Sequence, residues 1–302
     1  MGFDFVRANA RRARHAMVGF ALTIGIASAA TSPPSADCEP CRIWNTAVTP
    51  FKIFGNTWYV GPKGLSSVLI TSDQGHVLID GDLTESAPLI QANIRALGFR
   101  IQDVKYILNS HAHYDHAGGI ATLQRASHAT VLAGKAGAEA ILHGSGDRRD
   151  PQFESARAFE PAETVRAVGD GETIKLGDIA ITAHATPGHT PGGMTWTWQS
   201  CAGKNCLDMV YADSLTAVSD DDYRFSDDAA HPGVEAAFRR SIATVGGLPC
   251  DLLMTAHPDA SEFWERKAST MLIDHTACRR YAERAQQALD RRIADENAKA
   301  HP

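Results

Sequence analysis

A cluster of metal-binding side chains constrains this chain more than any other feature of its sequence. His111, His113, Asp115 and His116 fall close together, after an apolar β-type run at residues 104–108 and before two glycines. Alternate residues of an extended segment point the same way, so His111 and His113 can bind one ion together. Asp115 and His116 lie where the chain turns and can face a second ion, which suits a bridging hydroxide. The fold must therefore present this segment to two metals; a polar turn with surface histidines is the weaker alternative.

Further ligands must come from distant loops, because a local cluster cannot surround two ions. His189 lies in the turn TPGHTPGG after a predicted strand at residues 179–185, and His257 follows a predicted strand at residues 252–255. Functional residues are often carried on loops at the ends of a rigid scaffold. We expect both histidines to complete the sites. Other histidines lack this context and are expected on the surface or in hydrogen-bonded core positions: His76, His128, His143, His184, His231 and His275.

Hydrophobic periodicity predicts an α/β fold with mixed sheets. Short β-type runs at residues 57–60, 66–71 and 76–79 suggest an antiparallel meander, and helical spacing follows at residues 85–97. A polar stretch at residues 144–161 is expected to be a surface loop. The other predicted elements are strands at residues 104–108, 130–133, 173–176, 179–185, 194–199, 208–211 and 252–255, and helices at residues 120–125, 136–143, 234–245 and 276–297. No repeat or low-complexity linker divides the chain, which indicates one domain.

The charge balance argues against a nucleic-acid partner. The chain has 302 residues and a formal net charge of −6. Without the first thirty residues it keeps 25 basic and 34 acidic side chains, a net charge of −9. A chain this acidic has no electrostatic footprint for nucleic acid. No apolar run of about eighteen residues follows the N-terminal segment, so we expect no membrane partner either.

The first thirty residues resemble a secretory signal peptide. Arginines between residues 7 and 14 precede a short apolar run at residues 17–26, and small residues at 27–30 suit a signal peptidase. An amphipathic N-terminal helix is the alternative. We expect residues 1–30 to be removed on export to the periplasm. Residues 31–302 then form a single domain, with a flexible N-terminal stretch to about residue 45.

The cysteines fit an exported protein, because export makes disulfides possible and their number, 6, is even. They fall in pairs that are local in the sequence. We expect Cys38–Cys41, Cys201–Cys206 and Cys250–Cys278, one of about fifteen possible connectivities. A zinc-binding role is the alternative, but only Cys38 and Cys41 have suitable spacing and no second such pair exists.

Longer motifs carry a resemblance to a known family. The HxHxDH motif, the later Gly-His and the C-terminal His-Pro are similar to those of the metallo-β-lactamase superfamily. The stretches TWTWQSC at residues 195–201, YADSLT at 211–216 and DDAAHP at 227–232 resemble the subclass B3 metallo-β-lactamases. The resemblance covers essentially the whole chain after the leader. It implies an αββα sandwich, two mixed β-sheets flanked by helices, with a di-zinc site between the sheets.

Residue roles follow from the same resemblance. It assigns two Zn²⁺ per chain, the first to His111, His113 and His189 and the second to Asp115, His116 and His257. Asp115 is also the catalytic residue that orients the attacking hydroxide. Ser214 stands where another subclass has a cysteine ligand. Ser214 and Thr216 are expected to contact the substrate carboxylate, with ordinary hydrogen bonding at a strand end as the alternative, and Gln152 is expected to line the pocket beside Trp58.

The implied activity is opening of the β-lactam ring by a zinc-bridging hydroxide, which would give antibiotic resistance. A serine route is disfavoured because no Ser-x-x-Lys signature occurs. We expect a monomer whose partner is a small-molecule β-lactam. One alternative is a thioesterase, lactonase or nuclease of the same fold. In such enzymes an aspartate bridges both metals, and Asp213 of this chain lies one residue from the place of that aspartate. Another alternative is a secreted zinc-binding protein. Acidity and export disfavour the nuclease.

Overall fold

The strands of the first sheet run in chain order. A computed structural model describes residues 1–2 and 38–300, so the leader predicted at residues 1–30 lies almost wholly outside the described residues. Every helix and strand described here belongs to the unit Ser35–Pro302. The sheet has the order β1-β2-β3-β4-β5-β6-β7. Its strands are β1 (Phe51–Phe54), β2 (Thr57–Tyr59), β3 (Val68–Ser72), β4 (Gly75–Ile79), β5 (Val104–Leu108), β6 (Thr130–Gly134) and β7 (Val165–Val168).

The pairing changes direction within this sheet. Strands β1 to β4 are antiparallel, whereas β4 to β7 are parallel. Parallel strands need crossover connections, and these are helices. The carboxyl ends of β4 and β5 consequently lie at one edge, where His111 and its neighbours follow β5.

The second sheet has the order β12-β11-β10-β9-β8. Its strands are β8 (Thr173–Leu176), β9 (Ile179–Ala185), β10 (Met194–Ala202), β11 (Asn205–Ala212) and β12 (Leu252–Thr255). Strands β8 to β11 are antiparallel neighbours and β11 pairs with β12 in parallel. Strands β9, β11 and β12 therefore run in the same direction and end at the same edge.

Most of the helices cover the outer faces of the two sheets, whereas Phe263 of the short helix α7 packs between the sheets. The helices are α1 (Glu39–Trp44), α2 (Ala87–Ala96), α3 (Tyr114–Ala117), α4 (Ile120–Ser127), α5 (Lys135–His143), α6 (Val234–Gly247), α7 (Phe263–Ala268) and α8 (Ala277–Ala300). Apolar residues of α2, α4 and α5 pack on the first sheet, and those of α6 and α8 pack on the second. No helix in the described part of the chain combines the length and apolarity that crossing a membrane requires.

Alternation along the strands builds the core between the sheets. In β11, Met209 and Tyr211 belong to the cluster between the sheets, while Val210 and Ala212 face α6 and α8. Successive side chains of a strand point to opposite faces, so a strand covered on both sides is apolar throughout. The molecule thus has the layers helix, sheet, sheet and helix, which confirms the αββα sandwich.

Short elements account for the differences from the sequence prediction. Strands β1 and β7 and helices α1, α3 and α7 were not expected. Helix α1 occupies residues 39–44, within the stretch to about residue 45 that was expected to be flexible, and packs Cys38 and Cys41 beside Leu65 and Leu83. Residues 144–161 form no helix or strand, as expected of a surface loop.

The structure contains the three expected disulfides, Cys38–Cys41, Cys201–Cys206 and Cys250–Cys278. Cys201 and Cys206 face each other across the β10–β11 hairpin. Cys250, just before β12, joins the first turn of α8. No cysteine in the described residues is free.

Candidate metal centre

The predicted ligands come together where strands of both sheets end. The 111–116 segment follows β5 in the first sheet, and His189 and His257 follow β9 and β12 in the second. The turn before His189 requires a glycine, because Gly188 has φ of +152° and a Cβ there would lie 2.3 Å from Phe238. Loops from three strands therefore converge on one site.

The first predicted ligand set is a compact group of histidines. One ring nitrogen from each of His111, His113 and His189 lies within 4.8 Å of the others. Their ring centroids are 4.8 to 4.9 Å apart. His111 Nε2 is buried and has no hydrogen-bond partner among the described residues. A buried imidazole nitrogen without a partner is costly unless it coordinates something.

The second predicted set lies beside the first. Asp115 Oδ2 is 3.3 Å from His116 Nε2 and 3.2 Å from His257 Nε2, and the two Nε2 atoms are 3.2 Å apart. His111 joins the sets, since it also groups with Asp115 and His116 within 4.8 Å. The structure thus brings together all six residues that the sequence pointed to. Two ions held here would be close neighbours.

Hydrogen bonds behind the rings fix which nitrogen each histidine offers. His111 Nδ1 lies 2.8 Å from Asp213 Oδ1, and His113 Nε2 lies 3.0 Å from Asp150 Oδ2. His189 Nδ1 donates to the Thr216 carbonyl at 2.9 Å. Metal-binding histidines almost always use their second nitrogen in this way. The remaining nitrogens, Nε2 of His111, Nδ1 of His113 and Nε2 of His189, are left for an ion.

Asp80 connects the two sheets behind the second set. Its carboxylate accepts hydrogen bonds from Ser110 N at 2.7 Å and from Asn109 Nδ2 at 3.0 Å, and lies 2.8 Å from the Tyr211 hydroxyl. Asp80 Oδ2 is also 3.8 Å from His116 Nδ1. Asp80 is fully buried with φ of 60°. Through these bonds Asp80 connects the residues that follow β5 with Tyr211 of β11.

The electrostatics of the two sets differ. Burial and the neighbouring imidazoles lower the pKa of His111 well below its usual value, and burial beside His113 lowers the pKa of His189 to about 3. These rings are neutral at pH 7, the form that binds a metal. Burial also opposes the charged form of His116, but Asp115 and Asp80 outweigh it and raise its pKa to about 9. The second set therefore attracts positive charge, whether a proton or a cation.

The donor chemistry fits zinc. Each set offers three protein ligands, all nitrogens in the first and two nitrogens with one carboxylate oxygen in the second. Zinc sites that keep a position for water or substrate use such sets. The cysteines are all in disulfides and are not available as ligands.

A cavity of about 470 Å³ opens beside the ligands. The predicted pocket residue Gln152 and the predicted carboxylate contact Thr216 both line it, together with His113, Asp115, His189 and His257. Ser214 is buried, 5% exposed, and is not in this lining. Trp58 lies on β2 against Phe99 instead of in the cavity. The tryptophan that lines it is Trp44 of α1, whose ring lies 5.2 Å from that of His257.

Besides Trp44, the sequence did not indicate the roles that Asp150, Asp213 and Arg157 have at this site. Asp150 orients His113, and Asp213 lies behind His111 on the side away from the other ligands, not in a bridging place. Arg157 lines the cavity, is exposed, and forms no ion pair within the described part of the chain. Only Asp213 was considered, as a bridging residue. When an acidic residue and a histidine lie on different loops, no pattern in the sequence indicates that they are close in space.

Comparison with known proteins agrees with the fold and the site. A family model described as the metallo-beta-lactamase superfamily matches residues 60–201. The solved Rm3 metallo-β-lactamase is 52% identical, with a TM-score of 0.84 over 86% of this chain and 99% of that one. MEM-A1, a subclass B3 metallo-β-lactamase isolated from a soil metagenome library, is 50% identical, with a TM-score of 0.83 over 85% of this chain and 99% of that one.

Curated relatives are more distant. A probable metallo-hydrolase of Burkholderia pseudomallei is 33% identical over 119 residues, and the human mitochondrial persulfide dioxygenase is 32% identical over 122. These matches cover 37% and 40% of this chain and only 36% and 37% of the relatives. The chain thus spans little more than a third of the curated relatives that it matches. The solved structures, by contrast, are matched over nearly their whole length. These matches show that this chain belongs to the metallo-β-lactamase superfamily and groups with its subclass B3 proteins.

Proposed function

We propose that this protein is a di-zinc β-lactamase that opens the ring of β-lactam antibiotics and so gives resistance to them. The observation that carries the proposal is the pair of adjacent ligand sets on the wall of one cavity. Similarity to solved metallo-β-lactamases, at 52% and 50% identity over 99% of each of those chains, supports the substrate class. His111, His113 and His189 would hold the first zinc, and Asp115, His116 and His257 the second.

Bound zinc supplies a nucleophilic water at neutral pH and polarises a carbonyl oxygen. The protein's own part is orientation. Asp115 faces His116 and His257 through Oδ2, so its other oxygen can accept a hydrogen bond from the attacking water. Asp213, Asp150 and the Thr216 carbonyl prevent the first three rings from turning. No protein nucleophile is needed.

Substrate contacts would come from both sides of the cavity. The Thr216 hydroxyl would donate to the carboxylate beside the lactam nitrogen, and Gln152 would contact the substrate from the opposite loop. Ser214 would need to turn its side chain towards the cavity to add a second hydroxyl, so we assign the larger share to Thr216. Arg157 adds a positive charge that favours anionic substrates.

A thioesterase or lactonase is the second candidate. Hydroxyacylglutathione hydrolase of Anaeromyxobacter dehalogenans is 36% identical over 95 residues, which cover 29% of its length. The position of Asp213 behind His111 argues against a bridging aspartate here. A zinc-binding protein without activity would need the ligands but not the cavity residues.

Parallel turnover assays test the proposal. We expect hydrolysis of nitrocefin and little turnover of a glutathione thioester or a lactone at equal enzyme concentration. A chelator should abolish the activity, added zinc should restore it, and metal analysis should find about two zinc ions per chain. Full activity after exhaustive metal removal would refute the mechanism, and preference for the thioester would favour the second candidate.

We also propose that the enzyme acts in the periplasm as a monomer. The three disulfides and the leader pattern support export. The intact mass of secreted protein should correspond to a chain that begins near Ala30 with three disulfides, and the molar mass in solution should be that of one chain. A mass that retains the leader would contradict export.

A further inference from the structure

We infer that Asp220 is a positioning residue that sets the width of the substrate cavity by tying together the two loops that line it. The inference deepens the proposed function and rests on it for the identity of the substrate. The two loops are residues 150–157, called the first rim loop, and residues 214–223, called the second rim loop. Neither contains a helix or a strand.

One side chain makes most of the connection. Asp220 Oδ2 accepts a hydrogen bond from Glu154 N at 2.7 Å, and Asp220 Oδ1 accepts one from Ser155 N at 3.2 Å. The Ser155 hydroxyl also donates to Oδ1. The backbone adds a fourth bond, from Asp220 N to the Pro151 carbonyl at 2.8 Å.

Both joined loops line the cavity. The first rim loop contributes Gln152, Ser155 and Arg157, and the second contributes Thr216 and Val218. The distance between these two groups of side chains decides which substrates fit between them. Asp220 does not line the cavity, so it acts through the loops and not by touching the substrate.

The second rim loop is the fixed partner of the two. Arg292 of α8 donates to the Ser219 hydroxyl at 2.7 Å and to the Tyr223 carbonyl at 3.2 Å. The first rim loop has its own anchor at its start, where Asp150 bonds His113 and accepts from Gln152 N at 2.8 Å. Its far part adds a backbone bond inside the loop, from Ala156 N to the Gln152 carbonyl at 2.7 Å, so the Asp220 side chain supplies the link that ties residues 154–155 to the second rim loop.

This division of anchors predicts which kinetic constant changes. In Asp220→Ala, Asp150 still orients His113, so both zinc ions and the reacting geometry should be retained. Glu154 and Ser155 of the first rim loop lose the three hydrogen bonds that they donate to Asp220. Because the loop is then less firmly held, its contacts with the substrate should weaken. We expect KM to rise about tenfold, the effect of one lost hydrogen bond to a charged group, with kcat within about twofold.

The experiment compares Asp220→Ala with Asp221→Ala, a matched control. Asp221 is the next residue, is exposed, and forms no hydrogen bond or ion pair within the described ranges. The control should keep the KM of the wild type, and Asp220→Asn, which keeps one acceptor oxygen, should lie between. Hydrogen exchange at the Glu154 and Ser155 amides should be at least about tenfold faster in Asp220→Ala than in the wild type, and unchanged in Asp221→Ala.

The outcomes separate the two proposals. A lower melting temperature with unchanged KM would mean that Asp220 is merely structural, and the inference would be wrong. Unchanged exchange at Glu154 and Ser155 would refute it as well. If the wild type turned over no β-lactam, the proposed function would fall alone, and the exchange measurement would still decide whether Asp220 holds the first rim loop.

Discussion

At the residue scale, the orientation of His111, His113 and His189 depends on a hydrogen-bond acceptor behind each histidine ring. The carboxylate of Asp213 faces His111 Nδ1 and leaves Nε2 for the metal side. Space for that carboxylate depends on Gly193, where a Cβ would lie 2.2 Å from Asp213 Oδ2. The absence of a side chain at Gly193, after His189, thus leaves room for the carboxylate that orients His111 in the loop after β5.

Replacing Asp213 with Asn tests this role. The amide keeps the shape but not the charge, so we expect the affinity for the first zinc to fall about 10–100-fold while His257→Ala removes the second zinc outright. Competition with a chromogenic chelator measures both. Loss of one zinc from Asp213→Ala as complete as that from His257→Ala would make Asp213 a ligand, and the assignment of ligands made here would be wrong.

Thr216 carries the second prediction at this scale. Thr216→Ala removes a hydroxyl donor that lines the cavity but keeps the carbonyl that accepts from His189. A hydrogen bond to a charged group contributes about 1.5–3 kcal/mol, so KM should rise roughly ten- to a hundredfold with a smaller change in kcat. Steady-state kinetics with a penicillin and a cephalosporin, together with zinc analysis, check this. Unchanged KM in the double replacement of Ser214 and Thr216 would place the carboxylate elsewhere.

At the scale of elements, the two longer disulfide loops should differ in their effect on stability. Cys250–Cys278 separates its partners by 28 residues and joins the start of β12 to α8, whereas Cys201–Cys206 separates its partners by 5 at a hairpin tip. Chain entropy predicts a loss of roughly 3.5 kcal/mol in unfolding free energy for the first and about 2 for the second when each pair is replaced by alanines. Urea unfolding measures both, and a larger loss from the hairpin pair would contradict the ranking.

Periodicity predicted the elements that are long enough to show it. The strands expected at residues 104–108, 173–176, 179–185 and 252–255 have those same bounds in the structure. Helices α1, α3 and α7 have six residues or fewer, too few turns to display an apolar face. Strand β7 is largely exposed, so its composition lacks the buried pattern.

The candidate metal ligands could be predicted from the sequence because four of them lie within six residues, whereas the contacts that support them could not. His113 and Asp150 are 37 residues apart, and His111 and Asp213 are 102 apart. Which acid meets which ring depends on how the sheets pack, and no local pattern records that. Arg157 escaped notice for the same reason, since only the fold brings its loop to the cavity.

At the scale of the whole molecule, the proposed ligands come from both sheets. The first set combines residues after β5 with His189 after β9, and the second combines Asp115 and His116 with His257 after β12. Each ion would therefore bridge the sheets. Bound zinc would then join the two sheets at the edge where their connecting loops are irregular.

Zinc should consequently stabilise the entire fold. A ligand that binds only the folded state at about 1,000 times its dissociation constant adds about 4 kcal/mol per site. Calorimetry with zinc and after chelation should show a single transition that moves to lower temperature without the metal, and His257→Ala should show a smaller dependence on zinc. A melting temperature independent of zinc in the wild type would contradict the bridging role.

The order of the ligands along the chain also has a consequence for biosynthesis. His111 to His116 leave the ribosome early, His189 follows, and His257 appears only after β12, shortly before the final helix. The chain contains the whole first histidine set once His189 has been made, before His257 completes the second set. Truncated products that end before β12 would lack one ligand of the second set, so we expect them to bind at most one zinc ion.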